Sequence, residues 1–522
     1  MTEKTVTPNQ TIAVIDIGSS AIRMVIAEIT PTSDIRQIEN LQKAVRFGKD
    51  VFTTGRLSNA AMREGIDVLK NFNEVIKSYG VTRVQAIATS AVREALNRDT
   101  FIDRIYVRTG IDVEVVEGPE ENRLGLIAVE SALGDKLDLN VRNCLIVEVG
   151  SGSTEMIILN KGQVEITRTL SLGSIRLPEE AVAGKTDPSA MARILRRNIH
   201  EVAVYAAREY SLDQVDTFIA MGGDMRFVCR QLQEMVDASF VTLEKKAFLA
   251  FITKLSKMSV EEIAQQYGIP YSQAETIYPA LLVYSNFLAE TKAENVIVPM
   301  VSIRDGLLVE LTQMLSKYKR TDVSKQVLNS ARHLAERYRY DKPHTSNVAA
   351  LALKLFDSLK QDHGMGSRER LLLEVSALLH DIGSYISPSS HHKHSSYLVD
   401  AAEIFGLRKL DKNVVSNVVR YHRKNVPQIT HVPYMSLPKA ERAIVSKLAA
   451  MLRVADALDA GHQQKIRNFN IEATDETYIL WVAAETGDIT NERNSLNDKG
   501  RMFGDVFGVP IALKQGEVVI EA

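Results

Sequence analysis

The sequence predicts a two-lobed α/β protein followed by an all-α domain. A strand–turn–strand motif occurs twice, at 12–28 and 144–159, and strand-like and helix-like segments alternate between the two copies, a pattern typical of α/β folds. From about residue 317 to about 459 amphipathic segments dominate and strand-like runs nearly vanish, which predicts helices. With a boundary in the charged stretch Lys317–Lys325, the predicted domains are lobe I (1–128), lobe II (129–315), a helical domain (316–465) and a short mixed tail (466–522).

The charge balance limits the class of partner. The 522 residues include 63 Lys and Arg against 65 Asp and Glu, for a net charge of −2. Such a chain has no global positive field that would attract a polyanion. Any phosphate site must therefore be local, and we expect no nucleic-acid partner.

Cysteine content and the first residues indicate the compartment. Two cysteines far apart in sequence, Cys144 and Cys229, exclude a disulfide framework. Residues 1–10 are polar without a basic cluster, and Asp16 interrupts the apolar run that follows, which argues against a signal peptide or a membrane anchor. We therefore expect a cytoplasmic protein with no membrane partner.

The repeated motif predicts two hairpins whose turns carry a carboxylate beside exposed backbone N–H groups. Asp16 aligns with Glu148, and the small residues after them also align. A single glycine–serine turn usually does no more than close a hairpin, but two with matching carboxylates favour a phosphate-binding cleft between two lobes. A third turn, at 220–224, is expected to join it. The candidate phosphate-binding residues of the turns are Gly18, Ser19, Ser20, Gly150, Ser151, Gly152, Ser153, Gly222 and Gly223.

The two aligned carboxylates are candidate ligands for a cation. Asp16 and Glu148 offer hard oxygen donors, which suit Mg²⁺ bound directly or through water. A cation is needed because burying the charge of a phosphate chain unpaired would be prohibitive. The sequence therefore predicts Mg²⁺ in the cleft.

Several segments resemble the exopolyphosphatase and guanosine pentaphosphate phosphatase (Ppx/GppA) family. They occur in order along the chain, and all but two lie in its first quarter. These segments are DIGSSAIR (Asp16–Arg23), TGRLS (Thr54–Ser58), ATSAVREALN (Ala88–Asn97), EGPEENRL (Glu117–Leu124), EVGSGSTE (Glu148–Glu155) and LGSIRL (Leu172–Leu177).

The resemblance implies two actin-like, ribonuclease H-like lobes and a hydrolase of terminal phosphoanhydride bonds. By the family's motif, Glu121 orients or deprotonates the attacking water, and Arg23 and Arg93 contact phosphate; without the resemblance, an acidic helix start and two surface arginines would be the simpler interpretation. The implied substrates are inorganic polyphosphate and guanosine pentaphosphate, the alarmone of the stringent response. Family members with such a C-terminal domain also suggest a homodimer.

The sequence departs from the family pattern in the turns themselves. The usual first turn has Asn and Ser where Ser20 and Ala21 stand, and the usual second turn has Asp and Gly where Glu148 and Ser151 stand. A family arginine further along is replaced by Gln273. Lengthening a carboxylate by one methylene is enough to misplace a metal or a water. These departures predict weaker catalysis or an altered substrate within an unchanged fold.

The helical domain resembles HD-type phosphohydrolases, which bind metal through separated His and Asp residues. His344, the pair His380 and Asp381, and Asp456 follow the HD order, and imidazole with carboxylate suits a divalent transition metal. His394 and His422 are candidates for a second metal.

Two other functions remain open. The HD site could be the enzyme, a metal-dependent nucleotide phosphohydrolase that the N-terminal lobes regulate. Alternatively, the departures described above could have left a guanosine-alarmone or nucleotide sensor that keeps the cleft without efficient catalysis. A kinase fits less well, because the family's glutamate motif points to water as the phosphoryl acceptor.

Overall fold

A computed structural model describes residues 10–30, 34–176, 188–232, 239–315 and 323–516. The chain divides into two compact units, 1–322 and 323–522. Residues 317–322 of the predicted boundary stretch lie outside the described residues, as does Leu177 of the LGSIRL motif.

The first sheet forms the core of lobe I. Its five strands have the order β3-β2-β1-β4-β5, with β1 antiparallel to β2 and parallel to β4. The strands are β1 (Gln10–Ile17), β2 (Ala21–Ile29), β3 (Ile35–Ala44), β4 (Arg83–Ala88) and β5 (Val113–Val115). The helices are α1 (Phe47–Thr54), α2 (Asn59–Ser78), α3 (Ser90–Glu94), α4 (Arg98–Thr109) and α5 (Gly118–Leu133).

The second sheet repeats this topology. Its order is β10-β11-β9-β6-β7-β8, in which β6 is antiparallel to β7 and parallel to β9, and β10 adds an antiparallel edge. The strands are β6 (Asn143–Val149), β7 (Thr154–Asn160), β8 (Gln163–Leu170), β9 (Thr217–Met221), β10 (Phe240–Glu244) and β11 (Asn295–Pro299). The helices are α6 (Pro188–Tyr210), α7 (Gly223–Leu232), α8 (Lys245–Leu255), α9 (Val260–Tyr267), α10 (Tyr271–Ala289) and α11 (Ile303–Leu315). The shared topology confirms the predicted duplication and the pair of α/β lobes.

Helices cover both faces of the first sheet, which explains why β1 reads as a continuous apolar run. Alternate residues of β1 point to two separate cores, Ala13 and Ile15 to one and Ile12 and Val14 to the other. The second core is completed by α11, although the sequence grouped that segment with lobe II. α11 lies so close to α5 that a Cβ at Gly306 would overlap the carbonyl oxygen of Leu124. Glycine at this position allows the two helices to pack together.

The second unit begins as a helical bundle. Its helices are α12 (Val323–Arg337), α13 (Lys342–Ser358), α14 (Lys360–His363), α15 (Ser367–Leu379), α16 (His391–Ala401), α17 (Lys409–Tyr421), α18 (Val432–Met435) and α19 (Lys439–Ala457). A mixed segment follows, with strands β12 (Asn470–Ala473), β13 (Tyr478–Val482) and β14 (Ile511–Gln515) and helices α20 (Thr490–Lys499) and α21 (Arg501–Phe507).

The mixed segment, which the sequence predicts as a short tail at 466–522, is part of the second compact unit. Leu480, Leu496 and Phe503 are almost completely buried in the same hydrophobic core as the bundle helices. This placement could not be predicted from the sequence, because three short strands bury too few residues to produce a clear hydrophobic period. Among the described residues, no helix combines the length and the apolar character needed to cross a bilayer.

Candidate active-site cleft and histidine cluster

The two predicted turns face each other. Each lies between paired antiparallel strands, and the hydroxyl of Ser151 donates to Oγ of Ser20 across 2.9 Å. On the other side of the first turn, the hydroxyls of Ser19 and Ser90 are 2.9 Å apart. The cleft between the lobes is therefore lined by serine hydroxyls from both turns and from the start of α3, as a site for phosphate oxygens requires.

A glycine allows the lobes to approach. A Cβ at Gly152 would overlap the Phe52 ring of lobe I and lie 2.7 Å from Oγ of Ser90. Arg176 strengthens the same contact, since its Nε donates to the Gly152 carbonyl at 2.6 Å and its guanidinium pairs with Glu94 of lobe I at 2.5 Å. The turn needs glycine here for close packing between lobes.

The two hairpins place different charges at equivalent positions. In the first, Asp16 is opposite Arg23, and their side chains form an ion pair at 3.4 Å. In the second, Glu148 is opposite Glu155, whose Oε1 accepts a hydrogen bond from Ser153 at 2.6 Å. An acid–base pair in one lobe thus corresponds to a pair of carboxyl groups in the other.

Burial raises the pKa of both carboxyl groups in the second hairpin. For Glu148 the pKa rises to about 7, because burial and the charges of Glu121 and Asp16 outweigh the opposing Arg226 guanidinium. Burial likewise raises the pKa of Glu155 well above its usual range, with Glu121 adding to the effect. Several acidic side chains close together in a largely buried site favour the binding of a cation.

Glu121 lies on the first turn of α5, where the helix dipole favours an acid. Its Oε1 accepts a short hydrogen bond from Nη1 of Arg93, which also donates to the Val116 carbonyl at 2.7 Å. Burial raises the pKa of Glu121 although Arg93 acts in the opposite direction. The structure brings Glu121 and Arg93 together, which the motif spacing alone did not indicate.

The third turn, after β9, also borders the cleft. Gly222 has φ = +111°, which favours glycine. The hydroxyl of the buried Tyr284 accepts from the Val149 N–H at 2.9 Å and donates to the Met221 carbonyl, so it joins the second turn to the third. Burial raises the pKa of Asp224, on this turn, to about 7.

Sequence reasoning did not select Glu155, Asp224, Arg226 or Arg304. Arg226 donates to the Val301 carbonyl at 2.6 Å, and its charge interacts with Glu148. Arg304 is buried at the start of α11 and interacts with the charge of Asp16. Glu155 had a usable signal because the duplication aligns it with Arg23, and Asp224 had one because it ends the predicted third turn. Gln273, at the start of α10, remains an unexplained departure.

Comparison with known proteins identifies the family. The model of the Ppx/GppA phosphatase family matches residues 25–315, more than half of the chain. The chain belongs to the Ppx/GppA phosphatase family. Domain III of the same family matches residues 328–498, so this part of the second unit is a Ppx/GppA domain III, and its HD character stays a prediction. Ppx/GppA phosphatases hydrolyse phosphoanhydride bonds, which confirms the predicted enzyme class.

Similar proteins span most of the chain. A guanosine-5′-triphosphate,3′-diphosphate pyrophosphatase of Photobacterium profundum is 24% identical over 459 residues, 85% of each chain, and one of Aeromonas hydrophila is 23% identical over 487 residues, 90% of this chain and 91% of the relative. An exopolyphosphatase structure from Cytophaga hutchinsonii, 24% identical with a TM-score of 0.53, covers 58% of this chain and 98% of its own. A family member from Aquifex aeolicus, 24% identical with a TM-score of 0.50, covers 60% and 100%. The structures show a common fold.

Domain III gathers the predicted histidines around Asp381. Oδ2 of Asp381 is 3.7 Å from Nε2 of His344 and 3.6 Å from Nε2 of His380. Oδ1 is 3.0 Å from Nε2 of His391 and 3.7 Å from Nε2 of His422. The two oxygens of one carboxylate therefore face two groups of imidazoles. His391, rather than the predicted His394, accompanies His422 in the second group.

The imidazoles are oriented as metal ligands would be. Nδ1 of His344 is 3.0 Å from Oδ2 of the buried Asp459, and Nδ1 of His380 is 2.8 Å from the Ala377 carbonyl. Nε2 of His344 and of His380 is buried, and neither nitrogen has a hydrogen-bond partner among the residues that the structure describes. A carboxylate or carbonyl behind an imidazole fixes its tautomer and leaves the other nitrogen for a metal.

The carboxylate of Asp456 faces His344 and also forms an ion pair with a lysine. Its Oδ1 is 3.7 Å from Nε2 of His344, while its Oδ2 accepts from Nζ of Lys499 at 2.6 Å. Burial alone would raise the pKa of Asp456, but the ammonium of Lys499 and the neighbouring imidazoles lower the pKa to about 2. The structure thus brings together the four predicted ligands and the predicted His422, and it adds His391 and Lys499.

Proposed function

We propose that the cleft hydrolyses the terminal phosphoanhydride bond of guanosine pentaphosphate or of inorganic polyphosphate. The observation that carries the proposal is Glu121, held by Arg93 beside a group of buried carboxyl groups and two serine-lined turns. The names of the similar pyrophosphatases support guanosine pentaphosphate as the substrate. The name of the similar exopolyphosphatase structure supports polyphosphate.

In this mechanism Glu121 orients and deprotonates the attacking water. Its raised pKa brings the carboxylate closer to working pH, where a general base is most effective. Arg93 fixes the direction of that carboxylate and can contact a phosphate oxygen. Backbone N–H groups and hydroxyls of the turns would bind the equatorial oxygens, since phosphoryl transfer depends mainly on positioning and electrostatic stabilisation.

The oxygen donors of the cleft fit Mg²⁺. Asp16 and Glu148 would hold it, because they are aligned carboxylates from the two lobes, and burial raises the pKa of Glu148 despite the nearby Arg226 guanidinium. Bound there, Mg²⁺ would neutralise charge on the phosphates. In this proposal the turns bind the phosphate groups of the substrate, while Glu121 orients the water and accepts its proton.

Phosphate release tests the proposal directly. Guanosine pentaphosphate and long-chain polyphosphate are incubated separately with the full-length protein, with Mg²⁺ and with Mn²⁺. Metal-dependent release from either substrate supports the proposal, and the ratio of the two kcat/KM values identifies the preferred one. Binding of guanosine pentaphosphate without any release would support the sensor instead.

A second candidate function belongs to domain III. We propose that His344, His380, Asp381 and Asp456 hold a divalent transition metal. Two buried imidazole nitrogens point to one carboxylate and have no hydrogen-bond partner in the described part of the chain. Such a metal would supply an activated water for hydrolysis. Elemental analysis of protein purified without chelator tests this: Mn, Fe, Co or Zn near stoichiometric amounts is expected.

A further inference from the structure

We infer that Lys499 is a positioning residue that shares Asp456 with the metal of domain III and lowers the affinity for that metal. The inference rests on the metal site proposed above. It concerns a residue from the mixed C-terminal segment, which the metal-ligand pattern of the sequence does not include.

The two oxygens of the Asp456 carboxylate face different groups. Oδ2 of Asp456 accepts from the Lys499 ammonium at 2.6 Å, and Oδ1 faces Nε2 of His344 at 3.7 Å. A carboxylate held in this way offers the metal one oxygen instead of two. It also offers less charge, since the ammonium neutralises part of it in a buried site, where such interactions are strong.

The position of Lys499 beside Asp456 is held by further contacts. Its carbonyl accepts a hydrogen bond from Nε of Arg453 at 3.0 Å, and Arg453 lies one helical turn before Asp456 on α19. The same helix therefore holds both the backbone and the side chain of Lys499. Leu496 and Phe503, on either side in sequence, are buried in the core.

A tight turn reinforces this placement. Gly500 separates α20 from α21, and a Cβ there would lie 2.6 Å from the Leu496 carbonyl oxygen. The C-terminal segment thus delivers one ammonium to a fixed place beside the imidazoles.

The test measures Mn²⁺ affinity by titration calorimetry after chelator treatment. We expect Lys499→Gln to bind Mn²⁺ about tenfold more tightly than wild type, in the usual range for coupling between two ligands of one group. Without metal, the same variant should unfold at a lower temperature, because Asp456 loses its counter-ion. Lys499→Arg, which keeps the charge, should stay near wild type. Lys447→Gln is the matched control, because that half-buried lysine donates to the His363 carbonyl instead of a carboxylate.

The possible outcomes separate the inference from the metal site. If Lys499→Gln binds Mn²⁺ equally or more weakly, Lys499 is merely structural and the inference is wrong, while the metal site stands. If only Lys499→Gln binds the metal, the inference is supported in its strongest form. If neither protein binds Mn²⁺, Co²⁺ or Zn²⁺, both the metal site and the inference are overturned.

Discussion

Ser151 donates a hydrogen bond to Ser20 across the cleft, at 2.9 Å. Both serines replace other residues of the family pattern, so two departures in separate turns form one contact between the lobes. If the cleft binds phosphate as proposed, this contact occupies hydroxyls that would otherwise face the phosphate. We expect Ser151→Gly to release Ser20 and to lower KM for the phosphate substrate about 2- to 10-fold, the range of one net hydrogen bond. Adding Ser20→Ala to Ser151→Gly should abolish this gain, because the double variant also lacks the freed hydroxyl.

Glu121→Gln should reduce phosphate release by about 10²- to 10⁴-fold, the usual contribution of a general base. Glutamine keeps the shape and can still accept a hydrogen bond from Arg93, but it cannot take a proton. The melting temperature should stay close to that of wild type. The exposed Glu64 on α2 provides a control, since Glu64→Gln should leave the rate unchanged. A wild-type rate in Glu121→Gln would assign the water to another carboxylate.

Gly152→Ala should destabilise the protein by about 1–3 kcal/mol, as overpacking usually does. The new methyl group would overlap Phe52 and approach Oγ of Ser90 to 2.7 Å, which forces the lobes apart and lowers kcat as well. Urea denaturation and phosphate release measure the two effects. Gly504→Ala is the control, because the nearest atom there is at an ordinary 3.6 Å. Equal effects of the two substitutions would contradict the close approach of the lobes.

Much of the fold could be predicted because the first and second sheets depend on local patterns. The hairpins β1–β2 and β6–β7 are marked by a strand period interrupted by Gly and Ser, and the duplication doubles that signal. The return of α11 to lobe I could not be predicted, since nothing local shows that Leu307 and Leu308 pack beside Ile12. Long-range packing also hid the place of β12–β14 in the second unit.

The candidate site residues could be predicted only where they belong to a recognisable sequence motif. Asp16 and Glu148 follow from the repeat, and the domain III histidines follow from their order. Lys499 and Arg304 have no such signal, because each reaches its site from a helix that carries no other candidate. The ion pair between Arg93 and Glu121 needed the structure as well. The predicted homodimer stays a prediction.

Asp224→Asn should change how stability depends on pH. Burial raises the pKa of Asp224 to about 7 in the folded protein, whereas an unfolded aspartate titrates near 4. The folded state therefore holds an extra proton between about pH 4 and 7, and its stability falls as pH rises through that range. In the variant, the free energy of unfolding should fall less steeply with pH, by at most about 1.4 kcal/mol per pH unit. Above pH 7 the variant should therefore be more stable than wild type. Urea midpoints from pH 4.5 to 8.5 measure it, with exposed Asp213→Asn as control; parallel curves would contradict the prediction.

Replacing His380 and Asp381 together by alanine should remove the metal of domain III and spare the cleft. Both side chains point to the same buried cluster, so elemental analysis should find no transition metal in the double variant. Phosphate release should fall less than 10-fold, because Glu121 and the serine turns belong to the other compact unit. The control replaces the surface residues His333 and Asp400. Should the double variant not fold, Asp381→Asn alone keeps the size of the side chain and serves the same purpose. If all phosphate release disappears with the metal while Glu121→Gln is harmless, domain III is the enzyme and the cleft is its regulator.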